Sequence, residues 1–120
     1  MDFRLTKMQV LSLNFTEEKE GDPKSDSRLQ LDAFMEGSEQ NPQFARMVID
    51  IVLHAPGRYD LKAKLAYIFK FQKDTSSEDI EKSLVEADTE RLLYPYVNTF
   101  LTNFIIGAGY PRPGIPLILK

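Results

Sequence analysis

Two alternating apolar runs joined by a turn constrain this chain more than any other feature. Ala45, Met47, Ile49, Ile51 and Leu53 alternate with Phe44, Arg46, Val48, Asp50, Val52 and His54. Leu61, Ala63, Leu65, Tyr67, Phe69 and Phe71 alternate with Lys62, Lys64, Ala66, Ile68, Lys70 and Gln72. A two-residue period sustained this long specifies strands with one buried face. Between them lies Ala55-Pro56-Gly57-Arg58, where Pro presets the first central residue of a turn and Gly accepts the positive φ of the second. A β-hairpin is predicted. The register that sets Asp50 against Lys64 also sets Ile49 against Leu65 and Met47 against Tyr67, so one pairing satisfies both the charged and the apolar faces.

The remaining elements follow from similar patterns. Phe3 to Phe15 alternates at Phe3, Leu5 and Lys7 and again at Leu11, Leu13 and Phe15. The phase slips near Met8 to Val10, placing Met8 and Val10 on the other face, as a bulge or a strand shared between two layers would produce. Residues 17–27 hold charges and breakers and read as a solvated loop. Leu29, Leu31, Ala33 and Met35 mark a second strand that ends at the turn Gly37 to Pro42. A capping box, Thr75-Ser76-Ser77-Glu78, followed by Ile80, Leu84 and Val85, predicts a short helix. Pro95 is expected in the first turn of a longer helix, where its missing donor is not needed. That helix is expected to turn Tyr96, Val97, Phe100, Leu101, Phe104 and Ile105 toward the sheet and to end in a cap at Gly107-Ala108-Gly109. The expected class is α+β: a four-stranded antiparallel sheet, then a short and a long helix packed on one sheet face, in one domain over residues 1–120.

Composition narrows the chemistry. The formal net charge is −3, with no basic surplus to release counterions from a nucleic-acid backbone, so nucleic acid is not an expected partner. Cysteine is absent, which removes disulfides, thiolate metal sites and cysteine nucleophiles. His54 is the single histidine and sits beside the hairpin turn with no activated Ser to serve. Asp79, Glu81, Glu86 and Asp88 mix with Lys82 and Arg91 as a solvated helix face does. No catalytic residue, metal or cofactor is assigned, and the chain is not expected to be an enzyme. Without a signal-length apolar core or a run able to span a bilayer, a cytoplasmic protein with no membrane insertion is expected.

Leu93-Tyr94-Pro95-Tyr96-Val97, then Gly107-Ala108-Gly109-Tyr110-Pro111, then Ile115-Pro116-Leu117-Ile118-Leu119, resembles the SecB family of protein-export chaperones. In that family the main helix opens on a similar Leu-aromatic-Pro-Tyr segment and closes in a Gly-aromatic-Pro turn before an apolar tail. Phe3-Arg4-Leu5 through Leu13-Asn14-Phe15 is similar to the family's first strand, so the likeness covers nearly the whole chain. SecB proteins normally continue into another helix and an acidic tail, whereas this sequence ends at Lys120. Where acidic residues help dock the export motor SecA, this chain has Ser12 and Thr16, so a SecA partnership does not carry over. The resemblance implies a SecB-like fold, oligomerisation and binding of unfolded polypeptides.

Two surfaces lack ordinary solvent character. No charge occurs between Arg91 and Arg112, so the stripe Asn98, Thr99, Thr102 and Asn103 is expected to be an oligomer interface in a dimer or tetramer. An apolar groove for extended chains is expected along Phe34, Tyr94, Tyr110, Ile115, Leu117 and Ile118. The leading function is an ATP-independent holdase for unfolded or extended polypeptides, in protein export. The alternative is a dedicated partner-binding or structural oligomeric module of the same fold, uncoupled from SecA.

Overall fold

The computed structural model describes residues 3–37, 40–41, 43–71, 79, 82 and 88–115. Four strands, β1 (Phe3–Glu17), β2 (Arg28–Gly37), β3 (Phe44–Ala55) and β4 (Tyr59–Phe71), precede helix α1 (Thr89–Gly107). The strands form one antiparallel sheet in the order β1-β4-β3-β2. The predicted hairpin is present in the predicted register, with Asp50 opposite Lys64, Ile49 opposite Leu65 and Met47 opposite Tyr67. Its turn has Gly57 at φ 70° and is closed by the Arg58 amide donating to the Ala55 carbonyl at 3.0 Å.

β1 corrects the expected facing of Met8 and Val10. Its pairing with β4 shifts twice, between Leu5 and Lys7 and between Val10 and Ser12. Each bulge inserts one residue, so the first shifts the phase and the second restores it. At the first, the Thr6 hydroxyl donates to the Ile68 carbonyl at 3.0 Å. Residues directly opposite across a ladder share a face. Phe3, Leu5, Met8, Val10, Leu13 and Phe15 therefore all join the inner, helix-bearing face through Phe71, Phe69, Tyr67, Leu65, Ala63 and Leu61. The outer face receives Arg4, Lys7, Gln9, Ser12, Asn14 and Thr16.

Because β1 and β2 lie at opposite edges, their connection passes over the end of the β3–β4 hairpin, and it is clasped there. The Gly57 amide donates to the Glu20 carbonyl at 2.8 Å, and the Glu18 amide to the Arg58 carbonyl at 3.1 Å. Arg58 Nη2 donates to the Ser25 carbonyl at 3.2 Å and to Ser27 Oγ at 3.3 Å. His54 Nδ1 lies 3.2 Å from Glu18 Oε2 and 3.7 Å from Asp60 Oδ1. The approach is close enough that a Cβ on Gly57 would meet the Gly21 carbonyl oxygen at 2.7 Å.

α1 buries Leu93, Val97, Leu101 and Ile105 against Met47, Ile49, Leu65, Tyr67 and their neighbours, four residues apart along one face. The helix is rotated from the expected orientation. Tyr96 is 56% exposed, whereas Asn98, expected to face outward, is only 8% exposed. Burial of this amide is tolerated because it is hydrogen-bonded: Thr102 Oγ1 donates to Asn98 Oδ1 at 3.3 Å, and Asn98 also bonds Tyr94. Pro95 is also displaced from its expected place. α1 begins at Thr89, so Pro95 lies inside the helix, and its carbonyl accepts from the Thr99 hydroxyl at 2.8 Å. The helix ends as expected. Gly109, at φ 98°, donates to the Ile106 carbonyl at 3.0 Å, and the Tyr110 amide donates to the Ile105 carbonyl at 3.1 Å. The predicted short helix falls in 72–87, where Asp79 and Lys82 are the described residues and both are helical.

Candidate functional site

α1 does not reach the whole inner face. Along the middle of β1 the inward residues Met8 and Val10 are 38% and 47% exposed, and the bulge residue Leu11 is 40% exposed. Tyr67, buried under the helix, is the pivot of this surface: it pairs with Met8 across the ladder, and its ring lies 6.4 Å from that of the exposed Tyr96. The result is an apolar seam between an edge strand and a helix flank. β1 pairs only with β4, so its other edge offers backbone donors and acceptors that no described strand uses.

The seam ends in an aromatic cluster under the helix C-terminus. Phe15 lies 5.3 Å from Phe104, 5.4 Å from Tyr59 and 5.7 Å from Tyr110, and Tyr110 lies 4.9 Å from Tyr59, all between ring centroids. The Gly109 cap puts Tyr110 there by reversing the chain at the helix end. Burial pushes the Tyr59 phenol above its ordinary pKa, opposed by Arg58 and assisted by Tyr110. Burial alone pushes Tyr67 up to about 12. Neither Tyr59 nor Tyr67 gives its hydroxyl a hydrogen bond among the described residues.

The expected groove is only partly assembled. Tyr110 and Ile115 are half-buried and pack on the inner core, on the same side as α1. Phe34 lies on the outer face, opposite Val48, and is 43% exposed. Tyr94 is buried at 1% exposure, its phenol raised by burial and lowered in part by the bond to Asn98. Leu117 and Ile118 lie outside the described residues. Of the expected oligomer stripe, Thr99 and Asn103 are exposed, Thr102 is half-buried and Asn98 is buried. The seam residues Met8, Val10, Leu11 and Tyr96 were not among the expected site residues. The broken alternation at Met8 to Val10 was their one signal in the sequence.

Among the described residues no group of three His, Asp or Glu side chains is placed to hold a metal ion, and no helix is long and apolar enough to cross a membrane. What the seam offers chemically is apolar side chains beside strand-edge backbone groups that no described strand uses.

The fold is SecB-like. It superposes with a TM-score of 0.78 on the Mycobacterium tuberculosis Rv1957 SecB-like chaperone, solved in complex with a ChAD peptide from the Rv1956 HigA1 antitoxin. The two share 12% identity over 99% of this chain and 91% of that one, so the likeness is one of fold. A protein of unknown function from Streptococcus agalactiae superposes with a TM-score of 0.39 at 7% identity, over 100% of this chain and 98% of that one. No protein-family model matches the chain, and no curated protein matches its sequence.

Proposed function

We propose that this chain is an ATP-independent chaperone of the holdase type that binds unfolded or extended polypeptides in the cytoplasm. The observation that carries the reading is the seam: an unpaired strand edge lined by exposed Met8, Val10 and Tyr96. Such an edge takes extended chains through backbone hydrogen bonds, while the apolar side chains hold alternate residues without reading sequence. The SecB-like neighbour, solved with a peptide bound, supports polypeptide binding on this fold. The site is taken to run from Met8 and Val10 past Tyr96 to Tyr110, Ile115, Leu117 and Ile118. Phe34 and Tyr94 are removed from it, the first by its place on the outer face and the second by burial.

The same edge favours a second reading, a homo-oligomer in which copies cover one another's β1. An assembly would also cover Thr99 and Asn103, and a structural or partner-dedicated module would need nothing more. A role in export and a SecA partnership have no further support. Aggregation of several unrelated unfolded proteins, followed by light scattering without nucleotide, separates these readings. Wild type is expected to delay aggregation of all of them, Leu117→Asp to protect poorly and Lys82→Ala to protect fully. Protection of none of them by wild type would end the holdase reading and leave the dedicated module.

A further inference from the structure

The outer face of the sheet carries a charge distribution that the chain as a whole does not. On the β1–β4 half, the register brings Arg4, Lys7, Lys62, Lys64 and Lys70 to one surface, with Asp60 as the single acid at its far end, 3.7 Å from His54. The whole chain has a formal net charge of −3, so basic residues are segregated here against the average. Arg4 stands directly opposite Lys70, a like-charge pair that costs stability in a ladder. Among the described residues only Lys64 of this group has a carboxylate near it, Asp50 at 3.9 Å, with both side chains close to half exposed. Lys70 Nζ lies 5.7 Å above the ring of Phe44.

A cleft of about 360 Å³ opens beside this strip, with Phe44, Ala45 and Ile68 in its apolar lining and Lys7, Arg46 and Glu36 as its charged residues. Arg46 is already bound to Glu36 at 2.6 Å, which leaves Lys7 as the free cation of the cleft among the described residues. Alternate residues of a strand stand roughly 7 Å apart on one face, the same repeat as alternate side chains of an extended peptide. We propose that the outer β1–β4 face docks an extended acidic polypeptide segment. Its carboxylates lie along Lys62, Lys64, Lys7 and Lys70, and one bulky apolar side chain seats between Phe44 and Ile68.

Protein is favoured over nucleic acid because the ring in this site, Phe44, already has Lys70 above it, and Gln9, Ser12 and Asn14 along the strip offer no further platform on which successive bases could stack. A second copy is disfavoured as the occupant. The chain's own acidic loop, Glu17 to Asp22, is clasped to the hairpin turn, and a loop-to-face contact would propagate head to tail without closing. This surface lies on the face opposite the seam, so it stands or falls independently of the holdase reading.

The test is fluorescence anisotropy of the full chain with a labelled peptide of alternating Glu and Ser carrying one central Leu. The comparison probes are the same peptide with Lys for Glu, the same peptide with Ser for Leu, and a labelled oligothymidylate. Wild type is expected to bind the acidic peptide, more weakly as salt rises, and to lose affinity when the Leu is replaced. Lys7→Glu combined with Lys62→Glu, both at exposed positions, should weaken binding by about tenfold or more while the thermal melt and client protection stay unchanged; Lys24→Glu in the loop should bind as wild type. Unchanged binding by the double variant, equal binding of the Lys peptide, or oligothymidylate bound as tightly as the acidic peptide would each overturn the proposal.

Discussion

At the residue scale, Gly57 and Tyr67 carry the sharpest expectations. Gly57 has φ 70° and its missing Cβ is the space into which the Gly21 carbonyl and Pro23 pack, at 2.7 and 2.9 Å from where a Cβ would sit. Gly57→Ala therefore meets backbone strain and backbone collision together. A loss of ~1–3 kcal/mol is expected in denaturant titration. Gly107 has no positive φ and no neighbouring atom within 4 Å of the position a Cβ would take, so Gly107→Ala should be neutral or stabilising by up to about 1 kcal/mol. Tyr67 links stability to alkaline pH. Its phenol ionises at about 12 in the folded chain against an ordinary value of 10.0. The unfolded chain thus releases this proton first, and between those values it holds fewer protons than the folded one. Stability is full below the lower value and falls as pH rises toward the upper, by on the order of 2–3 kcal/mol. Tyr67→Phe should flatten that decline, leaving what Tyr59 and Tyr94, also raised by burial, contribute. It should cost little at neutral pH, since the hydroxyl has no hydrogen bond among the described residues to lose. Denaturation midpoints of both proteins across the alkaline range would decide it; an equally steep decline in the variant would remove Tyr67 as the cause.

At the element scale, α1 divides stability from binding. Leu101 is fully buried beneath the helix, whereas Tyr96 is more than half exposed on its flank. Leu101→Ala should cost ~2–5 kcal/mol by leaving a cavity. Tyr96→Ser should leave the thermal melt nearly unchanged and reduce client protection, and a large drop in melting temperature would mean that Tyr96 holds the fold instead. The elements differed in how openly their patterns declared them. The hairpin was legible to the residue, because two uninterrupted alternations joined by Pro-Gly admit one register. β1 was legible as a strand, but its faces were not, since the two bulges cancel and each breaks the period that would reveal the other. The helix rotation was hidden for another reason. A polar stripe reads as solvent-facing, yet Asn98 is satisfied along its own helix by Tyr94 and Thr102 and so can turn inward. The same two features hide the seam in the sequence, because the slip at Met8 to Val10 reads as a change of face and Tyr96 reads as part of the core stripe. The packing of Tyr110 at the helix end was easier to anticipate, because the glycine cap that turns the chain there is visible in the sequence.

At the scale of the whole molecule, the chain measures 50 × 26 × 20 Å, elongated and with β1 at one edge of the four-stranded sheet. A long edge with exposed apolar residues favours pairing with another strand. We expect wild type to be at least a dimer and Val10→Lys, which puts a charge on the open inward side of β1, to be monomeric and folded. Multi-angle light scattering reads this directly, and a monomeric wild type at high concentration would end the oligomeric reading.

The strand order has one more consequence, for a chain made from its N-terminus. β1 is synthesised first, but it pairs with β4, whose last partner is Phe71 opposite Phe3. β2 and β3 must both leave the ribosome before the neighbour of β1 exists, and the polar crossover must then close over the hairpin turn. Through that interval β1 is an extended, unpaired, partly apolar segment. While it is being made, this chain is itself a polypeptide of the kind that its finished fold is proposed to hold.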